Sequence, residues 1–197
     1  CLPYSRIVEG PEKHLWLFNW KDTGAIRTFE ISGNASPGNW RRHLLSSPIL
    51  FSAFGLTFHP LDNHRFLYIS QDQRILEHDI QSGSARLVIQ ESDTRLGEFL
   101  KLTPGRDNQS VWISSQNGLG HLQRDGSWRE HLLPGREGPC LFEYETDAGE
   151  KVGFTFKGLV EGSFFYGERS PFVFDGAEFQ FNATPDPAYA PRIDLLQ

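Results

Sequence analysis

The run from Asp107 to Leu133, DNQSVWISSQNGLGHLQRDGSWREHLL, turns back on itself at regular points. Val111 to Ser115 alternates around Trp112. Asn117-Gly118 is a tight-turn dipeptide, Leu119 to Gln123 is a second run, Asp125-Gly126 turns again, and Trp128 to Leu133 is a third run. Asn-Gly and Asp-Gly supply the positive φ that two-residue hairpin loops need, so the stretch predicts a meander of short antiparallel strands. A near copy lies upstream. Leu67-Tyr68-Ile69-Ser70 matches Val111-Trp112-Ile113-Ser114, Phe58-His59-Pro60 matches Leu102-Thr103-Pro104, and Ile75 matches Leu119, all at an offset of 44 positions. After one deleted residue, Ser82 to Arg86 matches Asp125 to Arg129 at an offset of 43. Short strands recurring in fours every 40 to 45 or so residues are the signature of a propeller blade.

Read in order, the chain predicts an all-β, propeller-like array of about four four-stranded blades, either closed or part of a larger propeller. The blades fall roughly at 14–45, 52–90, 99–133 and 140–181, in a single domain, with 182–197 as an extended proline-bearing tail. Residues 1–13 read as an edge strand or a lead-in, and in closed propellers such a strand often completes the last blade and removes its exposed edge. The first blade is the weakest repeat, since LWLF lies 52 positions before LYIS. The link Glu91 to Glu98 has room for one helical turn.

The phrase VWISSQNGLGHLQRDGSWREHLL resembles the repeat of two-component-regulator propellers. The matching residues are Asp107, Val111-Trp112-Ile113, Ser114, Gly118-Leu119 and Asp125-Gly126. The upstream copy is looser, with Tyr68 in place of the Trp and Arg74-Ile75 in place of the Gly-Leu pair. The resemblance is strongest over about 56–133. It implies a module that senses extracellular or periplasmic ligands such as carbohydrates, or that passes a ligand signal to a kinase or cyclase.

Composition agrees with strands and turns. Phe numbers 16 and Trp 5, with 19 Gly, 12 Pro and no Met. A net charge of −6 with interspersed signs argues against a nucleic-acid partner. No apolar run approaches the roughly 18 to 20 residues of a membrane-spanning helix. No motif calls for a cofactor or a metal. His59 and His64 flank a turn around Asp62 but lack a tight ligand spacing, and His78-Asp79 is expected to face solvent or cap a turn.

Cys1 and Cys140 are the two cysteines. They are candidates for a disulfide in an oxidising compartment. Cys1 also has the readings of a lipid-anchored terminus and of an N-terminal nucleophile, whose free amine would activate the thiol toward an amide. That hydrolase would require an αββα sandwich. A further alternative is a propeller lyase or glycosidase built on a histidine or on paired acids. Glu143 and Glu145 would lie about 7 Å apart on one strand face.

Aromatic residues beside Arg at blade edges are a usual platform for sugars and small ligands. Trp40-Arg41-Arg42-His43 and Trp128-Arg129-Glu130-His131 are two such neighbourhoods, which makes Trp40, Arg42, Trp128 and Arg129 the candidate ligand-binding residues. Sequons at Asn34, Asn108 and Asn182 matter only in a eukaryotic secretory route. The function expected is recognition of a small-molecule or carbohydrate ligand, or of a protein partner, by a periplasmic or extracellular sensor or scaffold.

Overall fold

Four meanders make up the computed structural model, which describes residues 5–11, 14–30, 40–107, 110–135, 138–161 and 164–181. The first sheet holds β1 (Ser5–Glu9), β2 (His14–Asn19), β3 (Ala25–Glu30) and β4 (Arg41–Leu44), hydrogen-bonded in chain order. The second holds β5 (Phe58–Pro60), β6 (Arg65–Ile69), β7 (Arg74–Asp79) and β8 (Ser84–Gln90). The third holds β9 (Phe99–Pro104), β10 (Val111–Ser115), β11 (Gly118–Leu122) and β12 (Trp128–Leu132). The fourth holds β13 (Cys140–Glu145), β14 (Lys151–Glu161), β15 (Phe164–Phe174) and β16 (Phe179–Phe181). A single bridge, Ser115 to Cys140, joins the last two sheets at their inner strands.

The named helical elements among the described residues are two three-residue 3-10 turns, Trp20–Asp22 and Glu91–Asp93. An αββα sandwich is therefore ruled out, and with it the N-terminal-nucleophile reading. Of the two readings of the first segment, the edge strand is the one observed. β1 pairs with β2 across five residues, from Ser5 with Asn19 to Glu9 with Leu15, so it belongs to the first sheet and not to the last. In the fourth sheet, β14 runs on to Glu161 and pairs with β15 along its whole length.

The core lies between the sheets. Trp16, Phe18 and Ile26 of the first pack on Phe58, Phe66, Tyr68 and Leu76 of the second, with the Trp16 and Phe66 rings 5.3 Å apart. Leu67, Ile69 and Ile75 pack on Phe99, Leu102, Val111 and Ile113 of the third. Trp112 and Leu119 then pack on Cys140, Phe142, Phe172 and Phe174 of the fourth. Both faces of β6 and β10 are buried, which is why these strands read as nearly continuous runs without alternation.

This stacking corrects one repeat match. Phe58 pairs with Tyr68, and Leu102 pairs with Ile113, so Ile113 and not Trp112 is the counterpart of Tyr68. The turn between β9 and β10 is one residue longer than that between β5 and β6, since Pro60 pairs with Phe66 but Pro104 with Val111. One residue reverses the face of every side chain on a strand. Tyr68 accordingly points back at the first sheet, whereas Trp112 points forward at the fourth.

The glycines of the third sheet serve two purposes. Gly126 sits at φ +83 in the β11–β12 turn, as its Asp-Gly signal predicts. Gly118 is instead the first residue of β11, after a Gln116-Asn117 turn, and a Cβ there would lie 2.2 Å from the carbonyl oxygen of His131. Its role is to let β12 approach.

Candidate functional site

The apolar seam between the second and third sheets opens at one end into a groove of about 620 Å³. Its floor is Leu61, Leu67, Val88, Val111 and Leu122, the outer margin of the buried cluster. Its rim is charged. Asp62, Arg65, Glu77 and Arg86 come from the second sheet, and Gln123, Arg124 and Asp125 come from the β11–β12 turn of the third.

The rim on the second sheet is a bonded network. Asp62 Oδ1 accepts the backbone N–H groups of His64 and Arg65, each at 2.8 Å, which closes the turn before β6. Arg65 donates from Nε to Asp62 Oδ2 at 2.8 Å and from its Nη1 to Glu77 Oε1 at 3.1 Å. Arg86 donates to the other Glu77 oxygen. Burial pulls the Asp62 carboxyl up, but the two backbone N–H groups and the Arg65 guanidinium outweigh it and hold the group below its ordinary value. On the opposite wall, Asp125 accepts from Ser127 N–H at 2.9 Å. Arg124 has no hydrogen-bond or ion-pair partner among the described residues.

A second recess, about 390 Å³, lies at the same end between the third and fourth sheets. Trp112 and His121 are cross-strand neighbours whose rings stack at 4.0 Å and 4°. Lys151 Nζ lies 5.3 Å from the Trp112 ring centroid. It is 3.6 Å from Glu145 Oε1 and donates to the Gly149 carbonyl at 2.5 Å. Arg106 donates to the carbonyls of Asp147 and Thr146 at 2.9 and 3.3 Å and pairs with the Asp147 carboxylate. Burial, then the neighbouring His131 and Lys151, push the His121 imidazole down to about 4, and its Nε2 is buried without a partner. Both cations of this recess are answered by the protein itself, so it works as a clamp between sheets.

The four candidate residues from the sequence are not brought together. Trp40 and Arg42 belong to the first sheet and Trp128 and Arg129 to the third, with the second sheet between them. Arg42 makes a bidentate pair with Asp22, at 3.0 and 2.8 Å, and the Trp40 ring is 5.3 Å from Phe29. Trp128 lies over Gly120, where a Cβ would come within 2.3 Å of its ring, and meets Phe99 edge-on at 6.4 Å. Arg129 is exposed opposite His121.

Other expectations change as well. His78 is 1% exposed with both ring nitrogens unpartnered, so it does not face solvent, while Asp79 does cap its turn through Gln81 and Ser82 N–H. Glu143 bonds Lys101 at 3.0 Å and Glu145 pairs with Lys151, with a bulge between Phe142 and Tyr144, so these two acids are not a matched catalytic pair. Cys140 is a free thiol at 0% exposure, its pKa raised by burial. Cys1, the three sequon asparagines and the tail lie outside the described residues. The groove's own arginines carry no sequence signal beyond a strand position for Arg86 and a turn position for Arg124. Only the stacking of sheets aims them at one space.

No protein-family model matches the sequence. No curated protein matches it either. Solved structures do. A catalytically inactive histidine-to-alanine variant of virginiamycin B lyase from Staphylococcus aureus, with quinupristin, is similar over 92% of this chain and 55% of its own, at 16% identity and a TM-score of 0.61. The extracellular domain of BT4673 from B. thetaiotaomicron, assigned to a one component system, is similar over 93% of this chain and 22% of its own, at 13% identity and a TM-score of 0.50. The β-propeller domain of the Trilobed protease from Pyrococcus furiosus is similar over 92% and 58%, at 9% identity and a TM-score of 0.51. The chain has the β-propeller fold. It spans about half the length of the lyase structures it matches.

Proposed function

We propose that this chain is a ligand-recognition module and that the groove between its second and third sheets is where it binds. One observation carries the reading: an apolar floor continuous with the core is ringed by a few fixed polar groups. That is the usual construction of a small-molecule site, and about 620 Å³ lies within the roughly 300 to 1,000 Å³ such sites occupy. Periplasmic or extracellular sensing fits the resemblance to two-component-regulator propellers and the extracellular domain among the similar structures. No helix among the described residues is long and apolar enough to cross a membrane.

The lyase alternative would rest on His121, the neutral imidazole of the second recess. Trp112 covers one face of that ring, and the neighbouring Lys151 and Arg106 are already bonded. The groove is therefore the better-supported site.

The test is fluorescence titration with the neutral probe N-phenyl-1-naphthylamine. The native chain should bind it. Leu122→Arg should weaken binding at least about tenfold by placing a charge on the floor. Leu61→Trp, which fills the groove with an apolar group, should do the same without burying charge. Equal binding by the native chain and both variants would remove the groove from consideration.

A further inference from the structure

We infer that the ligand of this groove is an amphiphilic anion, an apolar body bearing one carboxylate or sulfate-type group, whose charged end is held by Arg86 and Arg124. The inference deepens the groove reading and rests on it. Its basis is the hydrogen-bond capacity left on the rim. Three guanidiniums, Arg65, Arg86 and Arg124, face three carboxylates, Asp62, Glu77 and Asp125. The formal charges cancel, but the bonding does not. Both oxygens of Asp62 and both of Glu77 already accept from arginine or backbone donors, and Asp125 Oδ1 caps its own turn at Ser127. A guanidinium has five N–H donors. Arg86 uses one of them on Glu77, and Arg124 uses none among the described residues.

The two under-used arginines stand on opposite walls, Arg86 on β8 and Arg124 in the β11–β12 turn. The spare donors of the rim outnumber its spare acceptors, and an anion supplies the missing acceptors in the geometry a guanidinium prefers. The apolar floor then takes the rest of the molecule. The neighbouring recess is the internal contrast. There Arg106 and Lys151 are answered by Asp147, Glu145 and backbone carbonyls, and no comparable surplus of donors remains.

Isothermal titration of the native chain with decanoate and with decanol separates charge from chain length. Decanoate should bind about 5- to 20-fold more tightly than decanol, the range of a charge-assisted hydrogen bond at a partly exposed site. Arg124→Gln and Arg86→Gln should each remove most of that advantage, chiefly by weakening decanoate. Arg124→Lys should keep part of it, and Lys21→Gln, in the 3-10 turn between β2 and β3, should keep all of it. Equal affinity for the two probes, or Arg variants that bind decanoate as the native chain does, would overturn the anionic ligand while leaving the groove standing. Failure of both probes to bind, or binding unaffected by Leu122→Arg, would overturn the groove itself.

Discussion

At the scale of the residue, two glycines in one sheet show that residue type and reason are separate questions. Gly126 needs its φ of +83 but has open space where a Cβ would go. Gly118 has a carbonyl oxygen 2.2 Å from that position. Gly126→Ala should cost about 1 kcal/mol, the penalty for a left-handed L-residue. Gly118→Ala should cost more, about 2 to 4 kcal/mol, because backbone must move and the β11–β12 ladder moves with it. Urea denaturation of the two variants decides this, and equal losses would contradict the close-approach account. The Asp-Gly and Asn-Gly dipeptides made both turns visible in the sequence, but nothing local told the two glycines apart. The candidate arginines behaved in the same way. Arg42 stood beside a Trp in sequence, yet its guanidinium is committed to Asp22. Arg124 had no aromatic neighbour, yet it lines the groove with its donors uncommitted among the described residues.

At the scale of the element, turn length sets which neighbour a strand faces. One additional residue between β9 and β10 sends Trp112 toward the fourth sheet, where it sits beneath Lys151 while stacking on His121 of its own sheet. The seam between these sheets also depends on the inner strands. The buried Phe142 N–H donates to Ser114 Oγ at 2.9 Å. Ser114→Ala leaves that donor without a partner and should cost about 1 to 3 kcal/mol. Its effect should fall on the fourth sheet first, so hydrogen exchange at Phe142 and its neighbours should accelerate more than exchange in β2 or β6. Uniform acceleration would show that the seam is not a local latch. Between the second and third sheets, the side chain of Gln73, itself at φ 60, accepts Phe99 N–H at 2.7 Å. A repeat alignment cannot anticipate such latches, since each is specific to one pair of sheets.

At the scale of the whole molecule, the seams bury histidine. His59 and His121 are both held down to about 4 from an ordinary 6.5, chiefly by burial. Burial also lowers His43, His78 and His131. The unfolded chain therefore binds more protons than the folded one between about pH 6.5 and pH 4. Stability is fully present above 6.5 and is lost as pH falls through that window. The carboxylates held below their ordinary value, Asp22 and Asp62 among them, act in the same direction but only below about 4. Denaturation midpoints should thus begin to fall near pH 6.5. In a His59→Gln, His121→Gln variant that fall should be shallower. A midpoint flat from pH 7 to pH 4.5 in the native chain would refute the account.

The sequence by itself determined the strands, their turns and their grouping into four repeating meanders, because period-two alternation and turn dipeptides are local properties of a chain. It also marked which residues were large enough to fill the seams. What only the tertiary structure decided is which sheet each face meets, and with that the place of β1, the direction of Trp112 and the burial of His78. It decided the candidate site for the same reason. The groove is made by the β5–β6 turn and strands of one sheet and the β11–β12 turn of the next, about 60 positions apart along the chain. No local pattern encodes how two such walls converge. That follows from the packing of apolar faces between sheets, to which every residue of the seam contributes.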